Sequence, residues 1–198
     1  QFNKAQEVYE VLLLQTTNES DKAPIYNQLG MIKRNQREYP EALTFYKKSL
    51  AIYQKTLPLN HRNLAMSYNN IGVVYESMGD YPKALSYYEK DLAILQESLP
   101  SNHPDLGCSY NNIGNVYRNM GDYPKALSYY EKDLAILQQS LPFNHPDLGM
   151  SYNNIGIIYK DMGDYPKALS YYEKALKFDN NHFLLIILFW VLPMTAWV

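Results

Sequence analysis

The chain has 198 residues, of which 46% are hydrophobic and 19% charged, with a formal net charge of −2 at pH 7. That balance gives no electrostatic footprint for nucleic acid, and no block of like charges forms a basic arm or an acidic tail. A single cysteine, Cys108, excludes an internal disulfide framework and fits a reducing, cytoplasmic compartment.

The sequence opens on Gln1 in mid-pattern. Phe2, Ala5 and Tyr9 keep the spacing of Tyr81, Ala84 and Tyr88, so residues 1–17 read as the second helix of an earlier repeat. More protein is therefore expected upstream. Asn18-Glu19-Ser20 matches a glycosylation sequon, but no secretory signal gives it meaning. From here the text returns at an interval of 42 residues: 110–151 repeat 68–109 with six changes, and 152–174 begin the same text again. A fixed period of this length is the signature of a stacked array, each unit burying its apolar side against neighbours. Units are delimited at 23–56 (divergent), 65–98, 107–140 and 149–182.

Within the second unit, Tyr68, Ile71, Val74 and Tyr75 form one apolar stripe on a helix from about Asn63 to Met78. Gly79 follows as a natural left-handed C′ residue. Asp80-Tyr81-Pro82 restarts the chain, with proline in the first turn and an acidic side chain beside the exposed amides. The second helix runs to about Ser98, with Ala84, Leu85, Tyr88, Leu92 and Leu95 inward. Pro100 and Pro104 bracket the connector to the next unit. Gly72 sits mid-helix, where glycine costs roughly 1 kcal/mol relative to alanine. Close approach of the paired helix, tolerating only small side chains, is the expected compensation. The fold class that follows is all-α, a solenoid of antiparallel helix pairs.

These residues also carry a family likeness. Ile71-Gly72-x-x-Tyr75, Gly79-Asp80-Tyr81, Ala84 and Tyr88 resemble the tetratricopeptide repeat signature. It recurs as Ile113-Gly114-x-x-Tyr117 with Ala126 and Tyr130, and as Ile155-Gly156-x-x-Tyr159 with Ala168 and Tyr172. The 42-residue unit with its Asn-His-Pro-Asp-Leu connector is similar to the arrays of kinesin light chain and related adaptors. The first copy departs from the pattern, with Lys33 in place of tyrosine, Arg37 in place of glycine, and Pro24 near its helix start. A less regular repeat is expected there. Asp91 and Asp133 stand where the family prefers alanine, as Ala175 does here. Each must hydrogen-bond or reach water.

The resemblance implies a concave groove lined by first helices, and helical spacing selects the side chains on that face. The first copy offers Gln28, Met31 and Asn35; the second Met66, Asn70, Val73 and Ser77; the third Cys108, Asn112, Asn115 and Asn119. The fourth offers Met150, Asn154, Ile157 and Asp161, and Glu76, Arg118 and Lys160 lie at the edge. Four of the six changes between copies, Val73/Asn115, Glu76/Arg118, Ser77/Asn119 and Cys108/Met150, cluster on or beside this face. In the family, an asparagine at the position of Asn70, Asn112 and Asn154 belongs to a ladder that hydrogen-bonds the backbone of a bound peptide. A carboxamide suits that role because it both donates and accepts. The alternative is that these asparagines only satisfy neighbouring helices.

A carboxylate clamp of the chaperone-binding kind needs converging lysines and arginines, and this face does not supply them. A groove for acidic, tryptophan-containing peptides is weakened by the same near-neutral lining. His61, His103 and His145 recur once per connector. Zinc needs ligands within about 2.0–2.3 Å of one point, so helix capping or connector bonding is expected of them instead. No metal and no cofactor is expected, and no glycine-rich phosphate loop or nucleophile–base pairing reads as an active site. The twenty tyrosines read as packing residues, with Tyr87-Tyr88 at the back face and core. The functional expectation is a non-catalytic scaffold for a protein or peptide partner, with self-association open. The alternative is a repeat appendage of a larger enzyme, such as a mono-ADP-ribosyltransferase, whose catalytic domain lies upstream. Residues 183–198 are apolar but for Thr195, making a poor cap for an array, and are short of the roughly 20 residues of a membrane span. An aberrant gene-model end is expected there ahead of a tail anchor or a helix covered by a partner.

Overall fold

A computed structural model describes residues 2–178, and among these nine helices follow one another without a strand. Helix α1 (Phe2–Gln15) stands before four pairs: α2 (Glu19–Asn35) with α3 (Tyr39–Thr56), and α4 (Arg62–Ser77) with α5 (Tyr81–Ser98). The others are α6 (Pro104–Asn119) with α7 (Tyr123–Ser140), and α8 (Pro146–Asp161) with α9 (Tyr165–Leu176). The chain forms two compact units, Gln1–Leu99 carrying α1 to α5 and Pro100–Val198 carrying α6 to α9.

Each helix ends where its local chemistry requires. Gly79, Gly121 and Gly163 take φ of 77°, 79° and 81°, which a side chain rarely adopts. At Gly79 the amide donates to the Glu76 carbonyl and the Asp80 amide to the Tyr75 carbonyl, both at 2.9 Å, closing a Schellman motif. The next helix begins at once. Asp80 accepts from the Lys83 amide at 3.3 Å, and its carboxylate pairs with the Lys83 ammonium at 2.6 Å. That pairing holds the Asp80 carboxyl below its usual range. The histidines cap as expected: Nδ1 of His61, His103 and His145 accepts from the amide two residues on, at 3.1, 3.2 and 3.3 Å.

Inside each pair, a mid-helix glycine faces a buried tyrosine ring. A Cβ on Gly72 would lie 2.7 Å from the Tyr88 ring, and one on Gly114 would lie 2.8 Å from that of Tyr130. The helical cost of glycine is thus offset by a large buried aromatic. Tyr88, Tyr130 and Tyr172 are buried beside Ala84, Ala126 and Ala168. In the second unit Ala126 and Tyr130 join Ile155 and Ile158 in one cluster, linking α7 to α8. The other tyrosines stack behind: Tyr75 on Tyr87 and Tyr117 on Tyr129 at 5.5 Å between centroids, with Lys83 and Lys125 over the rings.

The irregularity expected of the first copy does not appear in its backbone. Helices α2 and α3 pair like the rest, with Pro24 inside α2. Arg37 takes φ 63°, entering the left-handed region without glycine's freedom. Lys33, in the tyrosine position, pairs with Glu38 at 2.5 Å. Asn18 of the sequon is a helix cap, accepting from the Ser20 amide at 3.2 Å. The apolar tail 183–198 and its three readings lie outside the described residues. Among the described residues no helix is long and apolar enough to cross a membrane.

Candidate functional site

In the first unit, Met31, Asn35, Met66 and Ser77 are exposed, while Gln28, Asn70 and Val73 are half-buried. The side chain of Asn70 turns to the neighbouring first helix, its Nδ2 donating to Asn27 Oδ1 at 2.9 Å. Ser77 Oγ donates back to the Val73 carbonyl at 2.8 Å. Glu76 is committed inward, where its Oε2 accepts from the Tyr88 hydroxyl at 2.8 Å. Burial, and then the Glu76 charge, push the Tyr88 hydroxyl far above the usual phenol range.

In the second unit, Cys108, Asn119, Met150 and Asp161 are exposed, and Asn112, Asn115, Asn154 and Ile157 are half-buried. Asn154 repeats the joint of Asn70, its Nδ2 donating to Asn111 Oδ1 at 2.8 Å. Asn115 Oδ1 accepts from the Tyr130 hydroxyl at 2.6 Å. Arg118 cannot accept a hydrogen bond, so the acceptor that Glu76 supplies in the preceding copy moves to the position of Val73. The paired change Val73/Asn115 and Glu76/Arg118 therefore serves the core. It is not purely a change of recognition surface. Lys160 at the edge reaches Asp161 at 3.5 Å, and Ile157 packs against the Ala168–Tyr172 cluster.

Between α6 and α8 the second unit holds a cavity of about 550 Å³. Cys108, Met150 and Asn154 of the predicted face line it, together with Asn111, Asn153, Leu137 and Asp133. Asp133 is buried and its Oδ2 accepts from Ser151 Oγ at 2.5 Å, so of the two fates open to it the hydrogen-bonded one holds. Burial pushes its carboxyl up to about 6; the Ser151 bond opposes this and the Asp147 charge adds to it. The ladder read from the sequence took Asn70, Asn112 and Asn154, and the groove face passed over Asn27, Asn111 and Asn153. The doublets Asn69-Asn70, Asn111-Asn112 and Asn153-Asn154 were the available signal.

The tetratricopeptide repeat profile matches residues 21–97 and 105–181. The chain belongs to the tetratricopeptide repeat family. Solved tetratricopeptide-type structures superpose on most of it. BtubC (BKLC) from P. vanneervenii matches with a TM-score of 0.81 at 24% identity, over 89% of this chain and 72% of that one. A kinesin-light-chain-type protein of Podosopora anserina, with nearly identical TPR-like repeats, gives 0.75 at 22%, over 90% and 87%. Aspartyl phosphate phosphatase F from Bacillus subtilis gives 0.76 at 19%, over 89% and 44%. At these identities the likeness is one of fold, and it bears out the tetratricopeptide array of helix pairs expected from the repeats. No curated protein sequence matches the chain.

Proposed function

We propose that this tetratricopeptide array is a non-catalytic adaptor that holds a peptide segment of a partner protein against its first-helix face. The repeats and their structural relatives support a protein-interaction scaffold in general terms. The finer reading rests on the cavity of the second unit, which opens beside Cys108, Met150 and Asn154 of the expected groove. Asn70 and Asn154 each spend one N–H on a neighbouring helix, which leaves a carbonyl oxygen and a second N–H for a peptide unit. Net hydrogen bonds of roughly 0.5–1.5 kcal/mol each give about 2–4 kcal/mol from three asparagines, against about 8 kcal/mol for a micromolar complex. Apolar contacts with Met66, Val73, Met150 and Ile157 have to supply the remainder.

The test is a displayed library of random peptides panned on the full chain. Selected peptides are then measured by fluorescence anisotropy against Asn70→Ala/Asn112→Ala/Asn154→Ala. Loss of binding of about tenfold or more, with helicity by circular dichroism retained, is the expected result. Peptides that bind the triple variant as well as the parent chain would sink the asparagine ladder.

A further inference from the structure

The cavity of the second unit has an uneven supply of hydrogen-bonding groups. Its charged lining residues, among those described, are Asp133 and Asp147, with no lysine or arginine beside them. Asp133 has Oδ2 on Ser151, and its Oδ1 lies 2.8 Å from where a Cβ on Gly107 would be, so glycine leaves that oxygen its space. An ionised carboxylate offers about four acceptor sites, more than one serine hydroxyl fills. Asn153 lines the same cavity, and its Oδ1 is buried with no hydrogen-bond partner. At Asp133 and Asn153 acceptors are in surplus. Asn111, Ser151 and Asn154 also line the cavity, and Leu137, Pro104, Met150 and Phe178 give it apolar walls.

From this we infer that the cavity receives a lysine or arginine side chain of the bound peptide, its methylene stem along Leu137 and Met150 and its cationic head at Asp133. The inference rests on the peptide-capture reading and specifies its partner chemistry. Ammonium and guanidinium groups carry only donors, which is what the surplus acceptors lack. Their long stems bury against apolar walls while the head seeks a polar group. A buried carboxylate without a counter-charge is costly, so the incoming cation relieves a burden already present in the fold. An apolar side chain of the same length would fill the walls and leave Asp133 and Asn153 unanswered.

The experiment titrates the ¹⁵N-labelled full chain with acetylated, amidated Gly-Gly-X-Gly-Gly peptides, where X is lysine, arginine, norleucine or glutamate. The expected result is saturable shifts of the Met150 and Ser151 amides with lysine and arginine, about tenfold tighter than with norleucine and absent with glutamate. Asp133→Asn, and Asp133→Ala as the variant that copies Ala175, are expected to remove that preference. Equal binding of lysine and norleucine, or an unchanged preference in both Asp133 variants, would overturn the cationic subsite. Peptide capture would still stand, since the Asn112 and Asn154 amides would respond to every peptide. Silence towards all four peptides would remove both readings.

Discussion

Burying the Tyr88 ring strips water from its hydroxyl, so an acceptor inside the fold has to replace that water. Glu76 does so in one copy and Asn115 does it for Tyr130 in the next. Replacing Glu76 with arginine alone should orphan the Tyr88 hydroxyl and cost about 1–3 kcal/mol in urea denaturation. Adding Val73→Asn should recover at least half of the loss, since the pair then copies Asn115 and Arg118; additive effects in the double-mutant cycle would refute the coupling. Asp133 makes a second prediction, through pH. Its carboxyl titrates at about 6 in the fold, against 3.8 for the free side chain. The raised value means that its contribution to stability is fully present below the unfolded pKa. That contribution is lost as pH rises through 6, because the native state then holds an ionised buried group. Asp133→Asn should therefore stabilise the chain at pH 7, by on the order of 1–3 kcal/mol, and have little effect near pH 4. Equal effects at both pH values would show that burial is not the cause. A residue that weakens the fold and also receives a cation fits the usual exchange of stability for function.

At the level of the helix, nearly every boundary was legible because its cause is local. Gly79, Pro82 and His103 act on amides and carbonyls within a few residues of themselves, so a reader of the chain meets cause and effect together. The Gly72–Tyr88 contact was legible only as a need for closeness; that the close partner is an aromatic ring required coordinates. Repeat 1 shows where such reasoning overreached. Lys33, Pro24 and Arg37 each break the local rule, yet α2 and α3 keep the common geometry because packing around Tyr46 and Leu29 fixes it. The strain remains at Arg37. Arg37→Gly should stabilise the chain by about 0.5–1 kcal/mol in thermal unfolding, with no change in helicity. A neutral or destabilising result would mean that the arginine side chain makes up for its backbone.

Across the molecule, what escaped the sequence were contacts between copies and groups hidden beneath the face. For Asn70 both a ligand and a neighbouring helix stood open, because nothing in its own repeat points to Asn27, 43 residues away. Glu76 and Asn115 read as surface because a helical wheel does not show that a tyrosine from the paired helix ends beneath them. Asp133 was noticed as an exception to the family, but its place in a cavity depends on four helices at once. The asparagine joints also have a consequence for how such a gene can change. Asn27 with Asn70, and Asn111 with Asn154, make the same bond from the same pair of repeat positions, although the first copy carries Asn27-Gln28 where later copies carry two asparagines. Deleting or duplicating one whole 42-residue unit leaves the two bonding positions in place on either side of the cut. Unequal recombination can therefore lengthen or shorten the array without needing a compensating point mutation at the seam.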